Sequence, residues 1–482
     1  MALKVLSVAS ECTPLIKTGG LADVVGALPG ALAKAGVEMR VMLPAYPGLA
    51  ERLSGRRRLG LDLGKGESAA VIQGKAEGLT LYLVEAPQYF EREGNPYTGP
   101  EGRDWPDNAE RFAYFARVAA AAARQGLGRW HPAAVHAHDW QAALVPVWRE
   151  EEGGGPPVLL TIHNIAFQGL YAPAMLERLG LSQRWNTIEG MEFHGRIGFL
   201  KGGLALAERL STVSPTYARE LMTPAFGMGL DGLLRHRAEV FSGILNGIDL
   251  DAWNPSDDPA LAARFSAAKP TPRTKNRRAL EARFRLDPAP HAPLFIVVSR
   301  MTRQKGLDLL LGAVPELVGQ GARLAVLGSG EPDLEQGFAE AARTHAGRVG
   351  VVIGYDEALS HLMQGGGDAI LIPSRFEPCG LTQLYGLRYG CLPVAARTGG
   401  LADTIVEANV AALRAGVATG VLHAPDDADA LTDAITKTIA LHAEPGRWKT
   451  MRAQAMAQSV GWERSAAEYA ALYREMVTDR AG

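Results

Sequence analysis

A chain of 482 residues is too long for one hydrophobic core and divides into two or three domains. With 47% hydrophobic and 21% charged residues and a formal net charge of -2, it has an ordinary globular make-up without the basic excess of nucleic-acid binders. Three widely spaced cysteines, Cys12, Cys379 and Cys391, exclude a disulfide framework or zinc ribbon and point to a reduced, cytoplasmic setting.

The opening stretch MALKVLSVASE alternates apolar residues with Ser, meets a charge at Glu11 and has no small-residue cleavage site. It reads as a buried first strand rather than a signal peptide. No apolar run approaches the roughly 20 residues that span a bilayer, so no membrane partner is expected. Further apolar runs follow in EMRVMLPAY, LTLYLVEAP, AAVHAHDW, PVLLTIHN and RLSTVSP, with helical stretches such as 107–126 and 139–150 between them. Near-continuous apolar strands separated by helices predict a parallel sheet covered on both faces.

Residues 254–293 break this rhythm, being rich in Pro and charge. They predict a linker at a domain boundary, with one helix near 274–285. The alternation then restarts with LFIVVSR, ARLAVLGSG, RVGVVIGY, AILIPS and LPVAAR. The expected fold class is α/β, with two doubly wound, Rossmann-like domains: 1–245, and 246–458 for the second. Each sheet then presents its loops at the carboxyl ends of its strands, where ligands bind in such folds, and the two face a deep interdomain cleft.

One motif occurs twice, as KTGGLADVV at 17–25 and RTGGLADTI at 397–405. Both copies sit where a strand gives way to a helix. Paired glycines permit close backbone approach, and the helix N-terminus offers N–H groups to an anion. Lys17 adds a cation to Gly19 and Gly20 in the first copy. The pattern is neither a G-x-G-x-x-G nor a Walker A loop, which argues against dehydrogenase and P-loop NTPase chemistry. A tight turn with no ligand is the alternative, above all for the second copy.

SRMTRQKG places Arg300, Arg303 and Lys305 between a strand and a helix. Three cations at that edge suit a diphosphate, since charge-assisted hydrogen bonds are worth roughly 1.5–3 kcal/mol each. In SRFEPCGLTQLYG, Glu377 follows a strand, Pro378 and Gly380 shape a turn, and a helix starts near Leu381. A carboxylate there suits sugar hydroxyls, and the N–H groups of Leu381 and Thr382 suit a phosphate. Helix capping is the other role open to Glu377. VHAHDWQ and TIHNIAFQG end two strands with His138, Asp139, His163 and Asn164, residue types fit for hexose binding or acid–base work. Metal coordination by these four requires an arrangement that spacing does not dictate. Asp249 and Asp251 form a D-x-D match, but their place in NGIDLDAWNP favours a turn, so no metal is expected.

Taken together, KTGGLADV, HDWQ, THN-like TIHN, FHG with FLKGG, TVSPTYARE, NGID, SR…QKG and EPCGLTQLYG, in this order and over essentially the whole chain, resemble bacterial glycogen synthases. These are starch-synthase-like retaining glucosyltransferases of GT-B architecture. The resemblance implies transfer of glucose from ADP-glucose to the non-reducing end of an α-1,4-glucan, with no cofactor and no nucleic-acid partner. It implies that Arg300 and Lys305 bind the donor diphosphate, that Lys17 with Gly19 and Gly20 meets the distal phosphate, and that Glu377 through Cys379, Gly380, Leu381 and Thr382 holds the glucose and phosphate. Asn246 belongs to the same donor set, and Tyr355 would stack on the adenine. His163 would touch the donor sugar, and Asp139 would lie near the reacting centre. Asp23, Tyr97, His138 and Asn164 fall on the acceptor side. A last helix, about 459–482, is expected to cross back to the first domain. Related transferases carry a second acid eight residues after the first; here that position is Tyr385, which speaks against a two-carboxylate mechanism. UDP-glucose as donor, or a nucleotide-sugar epimerase, are the alternatives.

Overall fold

The computed structural model describes residues 2–479; residue 1, where the expected first domain begins, and 480–482, where the expected last helix ends, lie outside them. The chain forms two compact units, one up to Asn246 and resumed from Trp462, the other from Gly247 to Gly461. Among the described residues, no helix is long and apolar enough to cross a membrane.

Strands of the first unit are β1 (Leu3–Val8), β2 (Val37–Pro44), β3 (Ser54–Gly64), β4 (Glu67–Ala76), β5 (Leu79–Glu85), β6 (Ala134–His138), β7 (Val158–Ile162), β8 (Leu170–Tyr171), β9 (Glu192–Phe193), β10 (Arg196–Gly198), β11 (Arg209–Thr212) and β12 (Phe241–Gly243). The main sheet runs β12-β11-β7-β6-β1-β2-β5-β4-β3, and β8-β10-β9 form a small separate sheet. From β12 to β5 all pairings are parallel, and β6 and β7 are buried along their whole length. The purely parallel sheet expected from the pattern is corrected at one edge, where β3, β4 and β5 pair antiparallel. Leu59, Leu61 and Leu63 of β3 are buried while their neighbours are exposed. That period of two marks a sheet with one wet face, and Arg56 to Arg58 on this edge strand discourage pairing with another chain.

The helix Glu463–Asp479 packs on this first unit. Ala466, Tyr469, Tyr473 and Met476 are buried against Val5, Val24, Leu28 and Leu32. These contacts follow the i, i+3, i+4 spacing that gives the helix its apolar stripe.

The second unit holds β13 (Leu294–Val298), β14 (Arg323–Gly328), β15 (Val349–Ile353), β16 (Ala369–Ile372), β17 (Leu392–Ala396) and β18 (Val421–His423). They form a parallel sheet in the order β15-β14-β13-β16-β17-β18. This is the doubly wound order, with its switch point between β13 and β16. In the first unit the corresponding reversal lies between β1 and β6.

The stretch 254–293 is not a free linker. Its helix, Arg273–Arg283, is part of the second unit, with Asn276 and Leu280 wholly buried. Arg273 is 5% exposed and donates to the carbonyls of Gly367 and Tyr389, at the C-terminal ends of two helices. Burying a guanidinium is tolerated there because backbone carbonyls satisfy it. Pro-rich, charged composition hid a segment in which Arg273, Arg277, Glu281 and Asp258 have internal partners.

Candidate active site

In the first unit, β1 leads through Ser10 and Glu11 into the loop that starts the helix Gly20–Lys34. Glu11, only 3% exposed, accepts the N–H of Thr18 at 2.5 Å, the Thr18 hydroxyl at 2.8 Å and the N–H of Gly19 at 3.2 Å. The Tyr97 hydroxyl donates to it at 2.9 Å and lies 2.8 Å from Ser10 Oγ. Burial raises the Glu11 carboxyl above its usual range despite these donors, and burial also raises the Tyr97 phenol. The N–H groups of Thr18 and Gly19 are therefore spent on the chain's own carboxylate, while the helix start behind them carries no side-chain cap. Lys17 Nζ lies 2.8 Å from Asp23 Oδ1, which also accepts from the Thr13 hydroxyl at 3.2 Å. Half-exposed ion pairs of this kind are worth little, so Lys17 is freed at small cost.

The two copies of the repeated motif prove different. Gly19 has extended backbone, and a Cβ there would meet nothing within 4 Å. Gly399 has φ +44, and a Cβ there would come within 1.9 Å of the Glu377 carbonyl oxygen. The Gly400 N–H donates to the carbonyl of Pro378 at 3.1 Å. The first copy is open; the second is a backbone clamp on the turn that carries Glu377.

At the other side of the same switch point, β6 and β7 bring His138, Asp139, His163 and Asn164 together. Asp139 Oδ1 accepts the N–H groups of His163 at 2.7 Å and Asn164 at 3.4 Å. Asp139 adopts φ +54, a strained conformation for a residue with a side chain, and strain of this kind gathers at functional sites. Burial lifts its carboxyl to about 7, against the lowering effect of the two N–H donors. His138 Nδ1 lies 3.0 Å from His163 Nε2, and His138 Nε2 lies 3.1 Å from Ser7 Oγ. Burial pushes the His163 imidazole down to about 3 and holds His138 well below its usual value, so both rings are neutral. The expectation that His138 faces an acceptor is corrected: it is wholly buried and both its nitrogens are engaged.

In the second unit, Lys305 follows β13 and Glu377 follows β16, which are neighbours at the switch point. Lys305 Nζ lies 2.6 Å from Glu377 Oε2, and the same oxygen accepts from Ser374 Oγ at 3.0 Å. With both partners largely buried, this pair is a fixed element rather than a surface contact. Arg300 is exposed, and its guanidinium has no hydrogen bond or ion pair among the described residues. Arg303 departs from the expected trio of cations: its guanidinium binds Glu331 at 2.5 Å and Asp333 at 2.9 Å.

Past Glu377, Cys379 is buried and Gly380 takes φ +71. Gln383 Nε2 donates to the carbonyls of Cys379 and Gly380, and the helix Thr382–Tyr389 begins after Leu381 without a side-chain cap. Tyr385 stacks on Trp253 with ring centroids 3.6 Å apart, so the position of the missing second acid is occupied by a packing aromatic. Tyr355 stands just beyond β15, 76% exposed, its hydroxyl donating to Glu357 at 2.9 Å. Asn246 is buried with Oδ1 unpartnered among the described residues, an acceptor left for a ligand or water. Asp249 Oδ1 accepts the N–H groups of Asp251 and Ala252, so the D-x-D match is a self-capped turn.

Glu11, Ser7 and Ser374 were missed by sequence reasoning. Only Glu11 carried a signal, as the first charge after β1.

Residues 4–236 match the family model described as starch synthase catalytic domain, and residues 280–453 match that of glycosyl transferases group 1. The chain is 56% identical to the glycogen synthase of Roseobacter denitrificans, over 98% of this chain and 100% of the relative. It is 51% identical to that of Rhodopseudomonas palustris, covering 99% of each. The catalytic domain of starch synthase IV from Arabidopsis thaliana, solved with ADP and acarbose, superposes with a TM-score of 0.89 at 30% identity, covering 99% of this chain and 100% of that one. The two units thus form a GT-B-like glycosyltransferase fold, the enzyme is a hexosyltransferase, and the chain belongs to the glycogen synthase family.

Proposed function

We propose that the protein transfers glucose from ADP-glucose to the 4-hydroxyl at the non-reducing end of an α-1,4-glucan, in the cytoplasm and with retention at the anomeric carbon. The observation that carries this reading is the Lys305–Glu377–Ser374 cluster at the switch point of the second sheet, with Arg300 on the same loop after β13 and without an ion pair among the described residues, in a chain of this family. The ADP and acarbose bound by the Arabidopsis relative support the same substrate classes.

Arg300 and Lys305 bind the donor diphosphate, and Tyr355 offers its exposed ring to the base. The uncapped start of Thr382–Tyr389 adds N–H donors for phosphate, and Glu377 accepts from glucose hydroxyls. Lys17, the Gly19–Gly20 loop and Asn246 complete the donor set. Asp139, His163, Asn164, Asp23 and Tyr97 serve the sugar and acceptor from the first unit.

Glu377 is held by Lys305, and the position eight residues on is Tyr385 and not an acid, which speaks against a two-carboxylate mechanism with a covalent glycosyl–enzyme intermediate. In the reaction we favour, the bond from the anomeric carbon to the phosphate oxygen breaks, leaving its electron pair on ADP. The acceptor oxygen then bonds to the same face, and its proton passes to the departing diphosphate. Arg300 and Lys305 stabilise the charge that grows on that leaving group. No resident metal is part of this reading, and turnover is expected to survive EDTA; loss restored by Mg²⁺ would count against it.

The test is incorporation of labelled glucose into glycogen from ADP-glucose and UDP-glucose in parallel. Incorporation from ADP-glucose alone supports donor, acceptor and reaction class. Preference for UDP-glucose overturns the base assignment, since Tyr355 stacks on either base. Donor binding without incorporation favours an epimerase.

A further inference from the structure

The relay behind His163 carries more than its position. We propose that Ser7 and His138 fix the tautomer of His163, so that His163 meets the substrate as a hydrogen-bond donor through Nδ1–H and not as a base. Ser7 and His138 are positioning residues here, and the proposal deepens the reading of the same site given above.

The argument is a proton count. Between His138 Nδ1 and His163 Nε2, 3.0 Å apart, one hydrogen sits when both rings are neutral. If His163 were the donor, His138 would carry its own hydrogen on Nε2 and give it to Ser7 Oγ at 3.1 Å. The Ser7 hydroxyl hydrogen would then have no acceptor, because Ser7 is wholly buried and His138 is its one side-chain partner among the described residues. A buried donor left unmade costs more than an unused lone pair.

The opposite order satisfies every hydrogen. Ser7 Oγ–H donates to His138 Nε2, His138 Nδ1–H donates to His163 Nε2, and the proton of His163 lies on Nδ1. That nitrogen has no partner among the described residues, on a side chain that is only partly buried. The relay has no branch: the His136 ring, 3.9 Å from that of His138, has its nitrogens engaged by the Tyr473 hydroxyl at 2.7 Å and the Thr161 hydroxyl at 2.6 Å. Asp139, the neighbouring carboxyl, binds the backbone N–H of His163 and not its ring. Burial keeps both imidazoles neutral, in agreement with the count.

The experiment is ¹⁵N NMR of histidine-labelled full-length protein, with the His163 signals assigned by loss in His163→Gln. The expected result is a proton on Nδ1 of His163 in the wild type and in Ser7→Thr. Ser7→Ala is expected to mix the tautomers and lower kcat/KM about tenfold, mostly in kcat, with Ser7→Thr restoring it. A proton on Nε2 in the wild type, or a Ser7→Ala variant with unaltered tautomer and kinetics, overturns the proposal. The NMR result needs no substrate, so failure of glucose transfer would sink the proposed function while leaving the tautomer assignment standing.

Discussion

Asp139 gives the most informative single perturbation. Its carboxyl has a folded-state pKa of about 7 against an ordinary 3.8, because burial penalises the charged form. Each pH unit between those two values is worth about 1.36 kcal/mol, so the ionised wild type carries about 4 kcal/mol of destabilisation at pH 8. The sign is opposite to that of a salt-bridged acid. The folded state binds the proton more tightly, so stability falls as pH rises from about 4 to 7, by about 1.4 kcal/mol per unit. Asp139→Asn removes this cost at every pH. Asn tolerates φ +54 well, and its amide oxygen can still accept the N–H groups of His163 and Asn164. Thermal melts of both proteins at pH 8 and pH 5 should show the variant more stable by several degrees at pH 8, with the gap narrowing in acid. Glucan synthesis should fall at the same time, as when a functional site gives up stability. A variant no more stable at pH 8, or a gap that ignores pH, would refute the reasoning.

The other predictions concern the second unit and the repeated motif. Arg300→Ala should lower kcat/KM at least about tenfold, and Arg303→Ala less than about threefold, because Arg303 is committed to Glu331 and Asp333; equal losses would return Arg303 to the site. Glu377→Gln should abolish turnover while ADP still binds by calorimetry, whereas an equal collapse of ADP affinity would make Glu377 structural. Gly399→Ala should cripple folding or activity, since its Cβ would meet the Glu377 carbonyl, while Gly19→Ala should be recovered folded with normal melting. A normally active Gly399→Ala would remove the clamp.

Much of the molecule can be read from local pattern. Wholly apolar segments such as VHAH and VLLTI announce parallel, doubly covered strands, and the chemistry-bearing residues stand where such strands end. The match of Lys305 with Glu377 follows from two strand ends being sheet neighbours, but only strand order brings residues 72 positions apart to 2.6 Å. The same holds for Arg303, which reads as one of three ligand cations until Glu331 and Asp333 come within reach from another loop. Two nearly identical nonapeptides end as an open turn and a closed clamp, because what faces a glycine is set by distant backbone. His138 reads as an acceptor-side residue and stands in the structure as an internal relay between Ser7 and His163, joined across three strands. The chain by itself settled residue types, element order and the edge of each sheet where chemistry gathers. Partners, burial and protonation depend on desolvation and on contacts between distant segments, which only the folded structure brings within a hydrogen bond's length.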